Sequence, residues 1–344
     1  MYKAALRTAV AAALLAYLVY FFSPASPAST PDRPSTANST LYEMSLQTVS
    51  RRVVQKVLAV ETAEGAGARV RRSIGSMKLR NLTPFLMLDH FHVGQGAGFP
   101  DHPHRGQATV TYMLQGSSQH EDSAGHKGTI VTGGVQWMTA GKGIIHAEMP
   151  VNGPGIPEPL GLQLWVDLPA EHKMTEPTYQ ELDPEQIPTA YPEGPDGPAR
   201  VKVISGKSHG VESPVRPLGG CWYFHVILDR AGAGLFQELP AGWTTFIYTL
   251  KGGVRVGDDE KVHEPYHTLV LSQDAGETGV KLSAAEDGTE FVLISGEPLD
   301  QPVFQYGPFV MTNREEIQKT LIDYQMGLNG FEKAHTWKSI IGNQ

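Results

Sequence analysis

Residues 99–116 read FPDHPHRGQATVTYMLQG, and residues 133–150 read GGVQWMTAGKGIIHAEMP. Near the two ends of this stretch lie two short clusters, His102-Pro103-His104 and His146-Ala147-Glu148. Each sets two metal-ligating side chains at i and i+2, positions that project from the same face of a β-strand. Two such strands, paired in one small barrel, aim three imidazoles and one carboxylate at a single point. That donor set suits a divalent transition metal and leaves room for exogenous ligands. Between the clusters, Thr109 to Leu114 mix apolar and polar residues in alternation. Glycines at Gly116, Gly125, Gly128, Gly133, Gly134, Gly141 and Gly143 punctuate the chain. This pattern predicts short antiparallel strands joined by tight turns.

The rest of the chain leans the same way. Its 344 residues suggest two or three domains, and 37 glycines with 25 prolines favour an all-β class over long helices. The net charge of -8, from 28 basic and 36 acidic residues with no basic block in the body of the chain, argues against direct nucleic-acid binding. A single cysteine, Cys221, excludes an intrachain disulfide and a cysteine-based zinc site.

Strands are expected at Val53–Val60, Val70–Ile74 and Phe85–Leu88. Composition changes after residue 168, and residues 171–200, rich in Pro, Glu and Asp, read as an inter-domain connection on the surface. The second half repeats the first in outline: residues 245–252 (TFIYTLKG) echo residues 109–116. Aligning Tyr248 on Tyr112 puts Glu238 and Pro240 where His102 and His104 stand, and no His-x-Glu follows. The second half therefore reads as the same domain without a metal site. Thr312-Asn313-Arg314-Glu315 offers a capping box before a helix that runs to Met326 and ends at Gly327. The divisions are residues 1–40, 41–170 (metal-binding domain), 171–200, 201–311 (metal-free domain) and 312–344 (helix and tail).

The first 40 residues stand apart. Lys3 and Arg7 precede an apolar run, Ala9 to Phe22, and a Ser/Pro/Thr/Ala-rich linker follows. Bulky Tyr17, Tyr20, Phe21 and Phe22 favour a membrane signal anchor. Small Ser23, Ala25 and Ala28 suit a cleaved signal peptide, and the lack of acidic residues suits a mitochondrial presequence. Sequons at Asn38 and Asn81 matter only if the chain enters the secretory path.

Among other residues, His90 and His92 are expected at a pocket mouth, and His120 and His126 in solvent beside a hairpin turn. His263 and His267 are expected to be structural. Arg105 is expected to pair with a carboxylate or to attract an anionic substrate. Trp137 and Met138 are expected in the core.

The two quoted segments, with GLQLWVDLP at residues 161–169 and PFLMLDHF at residues 84–91, resemble the pirin family of the cupin superfamily. The similarity runs from Val53 to the C-terminal helix. It implies an all-β bicupin, two jelly-roll β-barrels face to face with a C-terminal helix, of which the first alone keeps metal. It also implies that His102, His104, His146 and Glu148 bind Fe(2+), one per chain. The donor set alone would equally hold Mn, Co, Ni or Cu. Two functions follow from the resemblance. One is a quercetin 2,3-dioxygenase-type oxygenase, with a flavonol-like small molecule and O2 as reactants and Glu148 as the catalytic proton relay. The other is a non-catalytic, redox-sensitive, iron-dependent transcriptional cofactor that binds protein partners. The family points to cytoplasm or nucleus, whereas residues 1–22 point to a membrane. This chain departs from the family at that N-terminal segment and at His90, where many members carry an acidic residue.

Overall fold

A computed structural model describes residues 48–343. The apolar run and linker of residues 1–40 lie outside the described residues. Among those described, no helix is long and apolar enough to cross a membrane.

Two antiparallel barrels are laid out along the chain. In the first, a seven-stranded sheet has the order Thr178–Leu182, Val135–Thr139, Gln107–Gln115, Leu160–Asp167, Phe85–His92, Ala68–Arg72 and Val60–Glu64. Facing it is a four-stranded sheet, ordered Phe99–His104, Ile144–Pro150, Ser117–Asp122 and Lys127–Val131. In the second, a seven-stranded sheet centred on Thr289–Gly296 faces a three-stranded sheet of Gly234–Glu238, Gly279–Ala284 and Val254–Val256.

The two large sheets pack on one another through Phe85, Val110, Tyr112 and Leu164 from the first half and Tyr223, Phe246, Tyr248 and Ile294 from the second. Phe85 meets Phe246 edge to face, with ring centroids 5.0 Å apart. Trp137 is buried in this layer and Met138 in a smaller cluster beside it, as expected. The second barrel is filled with apolar side chains, among them Leu235, Val280, Leu282, Phe291 and Leu293. The first holds a smaller apolar cluster around Val70, Phe91 and Met113, which leaves space beside its four-stranded sheet.

Three local readings change. The expected strand at residues 53–60 breaks in two. Val53–Leu58 pairs with His267–Leu271 at the edge of the second large sheet, while Val60–Glu64 closes the first. Hydrophobic alternation specifies a strand but not its partner. Within the Pro-rich connection, Thr178–Leu182 forms an edge strand on Val135–Thr139; prolines are tolerated around such edges. The helix spans Arg314–Met326 with Asn313, not Thr312, at its N-cap. Asn313 Oδ1 accepts from Glu316 N–H at 2.8 Å, and Glu316 Oε2 accepts from Thr312 N–H. Gly327 ends it in the left-handed conformation, as expected.

This helix packs on the first barrel, not the second. Phe309, Met311, Ile317 and Phe331 cluster with Ile145. Gly106 (φ +78) makes the approach possible, since a Cβ there would lie 1.9 Å from the Val310 carbonyl oxygen.

Candidate metal centre

The strands Phe99–His104 and Ile144–Pro150 are antiparallel neighbours, and His146 lies directly opposite His102. The i, i+2 spacing then brings His104 to the same face. Nitrogens of His102, His104 and His146 all lie within 4.8 Å of one another, the one cluster among the described residues with metal-binding geometry. The pairing slips by a residue between His146 and Glu148. Such a bulge re-aims the side chain beyond it. Glu148 Oε2 stands 3.9 Å from His146 Nε2.

Each donor has a distinct support. His102 Nδ1 lies 2.8 Å from the Pro100 carbonyl oxygen. An acceptor-only partner puts the proton on Nδ1 and leaves Nε2 free to ligate. Trp165 and His104 pack edge to face, with ring centroids 5.1 Å apart. Thr111 Oγ1–H donates to Glu148 Oε1 at 2.9 Å, and Gln163 Nε2–H to Glu148 Oε2 at 3.2 Å. His146 is 1% exposed, and neither of its ring nitrogens has a hydrogen-bond partner. A buried imidazole with two unpartnered nitrogens is costly unless one of them binds a ligand. Burial, reinforced by the neighbouring histidines, pushes His104 and His146 well below the ordinary histidine pKa. Both are therefore neutral at pH 7, the form that binds metal. On these grounds the three imidazoles fit a divalent transition ion.

The cluster opens on a cavity of about 1010 Å³ that also touches Met87, Phe91, Phe99, Thr111, Glu148 and Trp165. Arg72, on the same wall, makes a bidentate pair with buried Asp89 and reaches Glu64.

Other expectations sort clearly. Arg105 is 1% exposed and pairs with the carboxylate of Asp323 on the C-terminal helix at 2.8 Å, so it turns away from any substrate. His90 does not line the cavity; it is buried between the barrels, with Nδ1 3.2 Å from the Tyr248 hydroxyl. His92 is exposed beside Glu158. His120 is not solvated: it lies opposite Glu148 in the ladder, is 3% exposed, and has Nε2 3.0 Å from Glu181 Oε1. His126 is half exposed and pairs with Asp122. His263 is buried near Val254, and His267 Nδ1 lies 2.9 Å from the Pro265 carbonyl oxygen. Thr111, Gln163 and Gln107 escaped sequence reading. Each is one polar residue among several on an alternating strand, and only the register shows that it faces the histidines.

Residues 67–166 match the model of the Pirin family, and residues 223–330 match that of the Pirin C-terminal cupin domain. Pirin from Homo sapiens is 49% identical over 298 residues, covering 86% of this chain and 99% of its own. A pirin-like protein from Solanum lycopersicum is 49% identical over 84% of this chain and 96% of its own. Among solved structures, a quercetin 2,3-dioxygenase from Acinetobacter baumannii superposes with a TM-score of 0.73 at 31% identity. It covers 81% of this chain and 98% of that one.

Proposed function

Because the chain belongs to the pirin family, we propose that its first barrel holds one divalent transition metal, Fe(2+) foremost, on His102, His104, His146 and Glu148, and cleaves flavonol-like substrates with O2 as a quercetin 2,3-dioxygenase does. The observation that carries this reading is the convergence of three imidazoles beside a roomy, largely apolar cavity that Glu148 also faces. The structural similarity to a quercetin 2,3-dioxygenase supports the choice of substrate class.

When bound, the metal supplies Lewis acidity toward the substrate's oxygen atoms and redox chemistry with dioxygen. The protein's own groups do the rest. Phe91, Phe99, Met87 and Trp165 offer apolar walls to a flat aromatic ligand and keep water from it. Thr111 and Gln163 fix the Glu148 carboxylate from both oxygens. So oriented, it accepts the proton of a substrate hydroxyl as that group enters.

Metal analysis of the purified protein, paired with a quercetin assay under air, tests the proposal. About one metal per chain is expected, with turnover lost in His104→Ala. Metal without turnover would refute the oxygenase reading and favour the redox-sensitive, protein-binding one.

A further inference from the structure

Gln107 stands beside the centre in a position unlike that of any other polar neighbour. It is 0% exposed and opens the strand that leaves the His104 turn. Its Nε2 lies 2.9 Å from His104 Nδ1 and 3.3 Å from the Pro308 carbonyl oxygen, while its Oε1 is buried without a partner. In this orientation the amide donates to His104 Nδ1, so the neutral ring carries its proton on Nε2.

His102 shows the contrast. Its Nδ1 faces a carbonyl oxygen, which can only accept, so its tautomer is fixed. The partner of His104 is an amide that can donate or accept. Ligation through His104 Nε2 requires the proton on Nδ1, and therefore an acceptor there. Turning the Gln107 amide by 180° supplies that acceptor and gives Oε1 a partner, while the NH2 group moves to the buried position where Oε1 now has none. The same turn removes the donor that Pro308 now holds. Pro308, with Gln305 and Gly307, lines the cavity at the tip of the hairpin formed by Phe304–Tyr306 and Phe309–Met311. That tip keeps its backbone bonds, Arg105 N–H to Pro308 O at 3.3 Å and Val310 N–H to Arg105 O at 3.0 Å.

We propose that Gln107 is a positioning residue whose amide reverses when metal binds, setting His104 in its ligating tautomer and releasing the side-chain bond to the hairpin at the cavity wall. His104 exchanges one ring proton for another, with no net release. The proposal rests on the metal reading above.

Zinc serves as a diamagnetic probe that needs no turnover. Nitrogen-15 NMR of the parent protein is expected to show His104 protonated at Nε2 without metal and at Nδ1 with zinc. Hydrogen exchange in the 304–311 hairpin is expected to quicken on zinc binding. Gln107→Leu, which can neither donate nor accept, should weaken zinc about 10–100-fold, the usual loss for a residue supporting a ligand. Gln107→Glu, with acceptor atoms only, should keep parental affinity or exceed it. Parental affinity in Gln107→Leu, or an unchanged His104 tautomer, would overturn the proposal alone. No saturable zinc binding by the parent would overturn the metal reading and the proposal with it.

Discussion

The Arg105–Asp323 pair ties the strand that carries His102 and His104 to the C-terminal helix, and its worth can be worked out. Both side chains are almost fully buried, at 1% and 4% exposure. The guanidinium donates to Asp323 Oδ2 at 2.8 Å, to the carbonyl oxygens of Lys142 and Asn329 at 2.6 Å each, and to Thr320 Oγ1 at 3.1 Å. Asp323 Oδ1 also accepts from Asn329 Nδ2–H at 2.8 Å. Asp323→Ala removes the counter-charge and leaves the cation buried among neutral oxygens. Breaking a buried pair from one side costs about 3–5 kcal/mol. The remaining acceptors place this case at about 3 kcal/mol, a fall in Tm of about 5 °C for a chain of this size. Arg105→Met strands the carboxylate instead and should cost a similar amount. The double variant Arg105→Met/Asp323→Leu strands neither charge, so its loss should fall short of the sum by about 2 kcal/mol. Chemical denaturation of all four proteins at pH 7 measures the cycle. Losses that add to within about 0.5 kcal/mol would show that the pair is not coupled and refute the reasoning.

Three further outcomes are expected. Glu148→Gln should keep metal at lower affinity while quercetin turnover falls far more, because an amide cannot take up the proton of an entering hydroxyl; metal content and turnover under air, compared with the parent, read this, and unchanged turnover would remove Glu148 from the mechanism. Burial, aided by Arg71 and His92, lowers the His90 pKa from 6.5 to about 4; the unfolded chain therefore takes the proton first, and stability should fall by about 1.4 kcal/mol per pH unit from pH 6.5 down to about 4. Urea midpoints at pH 7 and pH 5 should show this loss in the metal-free parent and less of it in His90→Gln; equal losses in the two would count against it. A chain lacking Met1–Thr40 should still unfold cooperatively and bind metal, since the strands described here begin at Val53; loss of either property would refute that boundary.

The histidine triad is legible because a strand's period of two is rigid: once residues 99–104 and 144–150 are strands, His102, His104 and His146 have little freedom to diverge. The two-barrel plan was legible through the Tyr112 and Tyr248 segments. What sequence hid depends on partners distant along the chain. The turn-like setting of His120, among Glu121, Asp122 and Gly125, resembles that of a solvated residue, yet the ladder places it opposite Glu148. Arg105 looked available for a substrate because Asp323, its partner, lies 218 residues away. Capping slipped by one residue because Thr312 and Asn313 are both competent caps.

The two halves agree where they face each other and differ inside. His90 and Tyr112 flank Leu162 in the first large sheet, and His225 and Tyr248 flank Val292 in the second. The rows answer each other across the interface: His90 meets the Tyr248 hydroxyl at 3.2 Å, and the Tyr112 hydroxyl meets His225 Nδ1 at 2.9 Å. In each contact a change on one side would strand a buried polar group on the other. No such constraint binds the interiors. On the small sheet of the second barrel, Leu235 lies opposite Leu282 and Gln237 opposite Val280. Each buried leucine there contributes about 1.5–3 kcal/mol. The first barrel gives up that stabilisation to keep three imidazoles beside a cavity. The C-terminal segment supplies support from outside, on and beside the strands that bear the site. Its helix grips Arg105, Ser339 N–H donates to the Asp101 carboxylate, and Ile340 N–H donates to Glu121 Oε2 at 2.6 Å. Asp101 precedes His102, and Glu121 lies opposite Ala147, between His146 and Glu148. The bracing thus falls on the strand that carries His102 and His104 and on the strand that flanks His146 and Glu148.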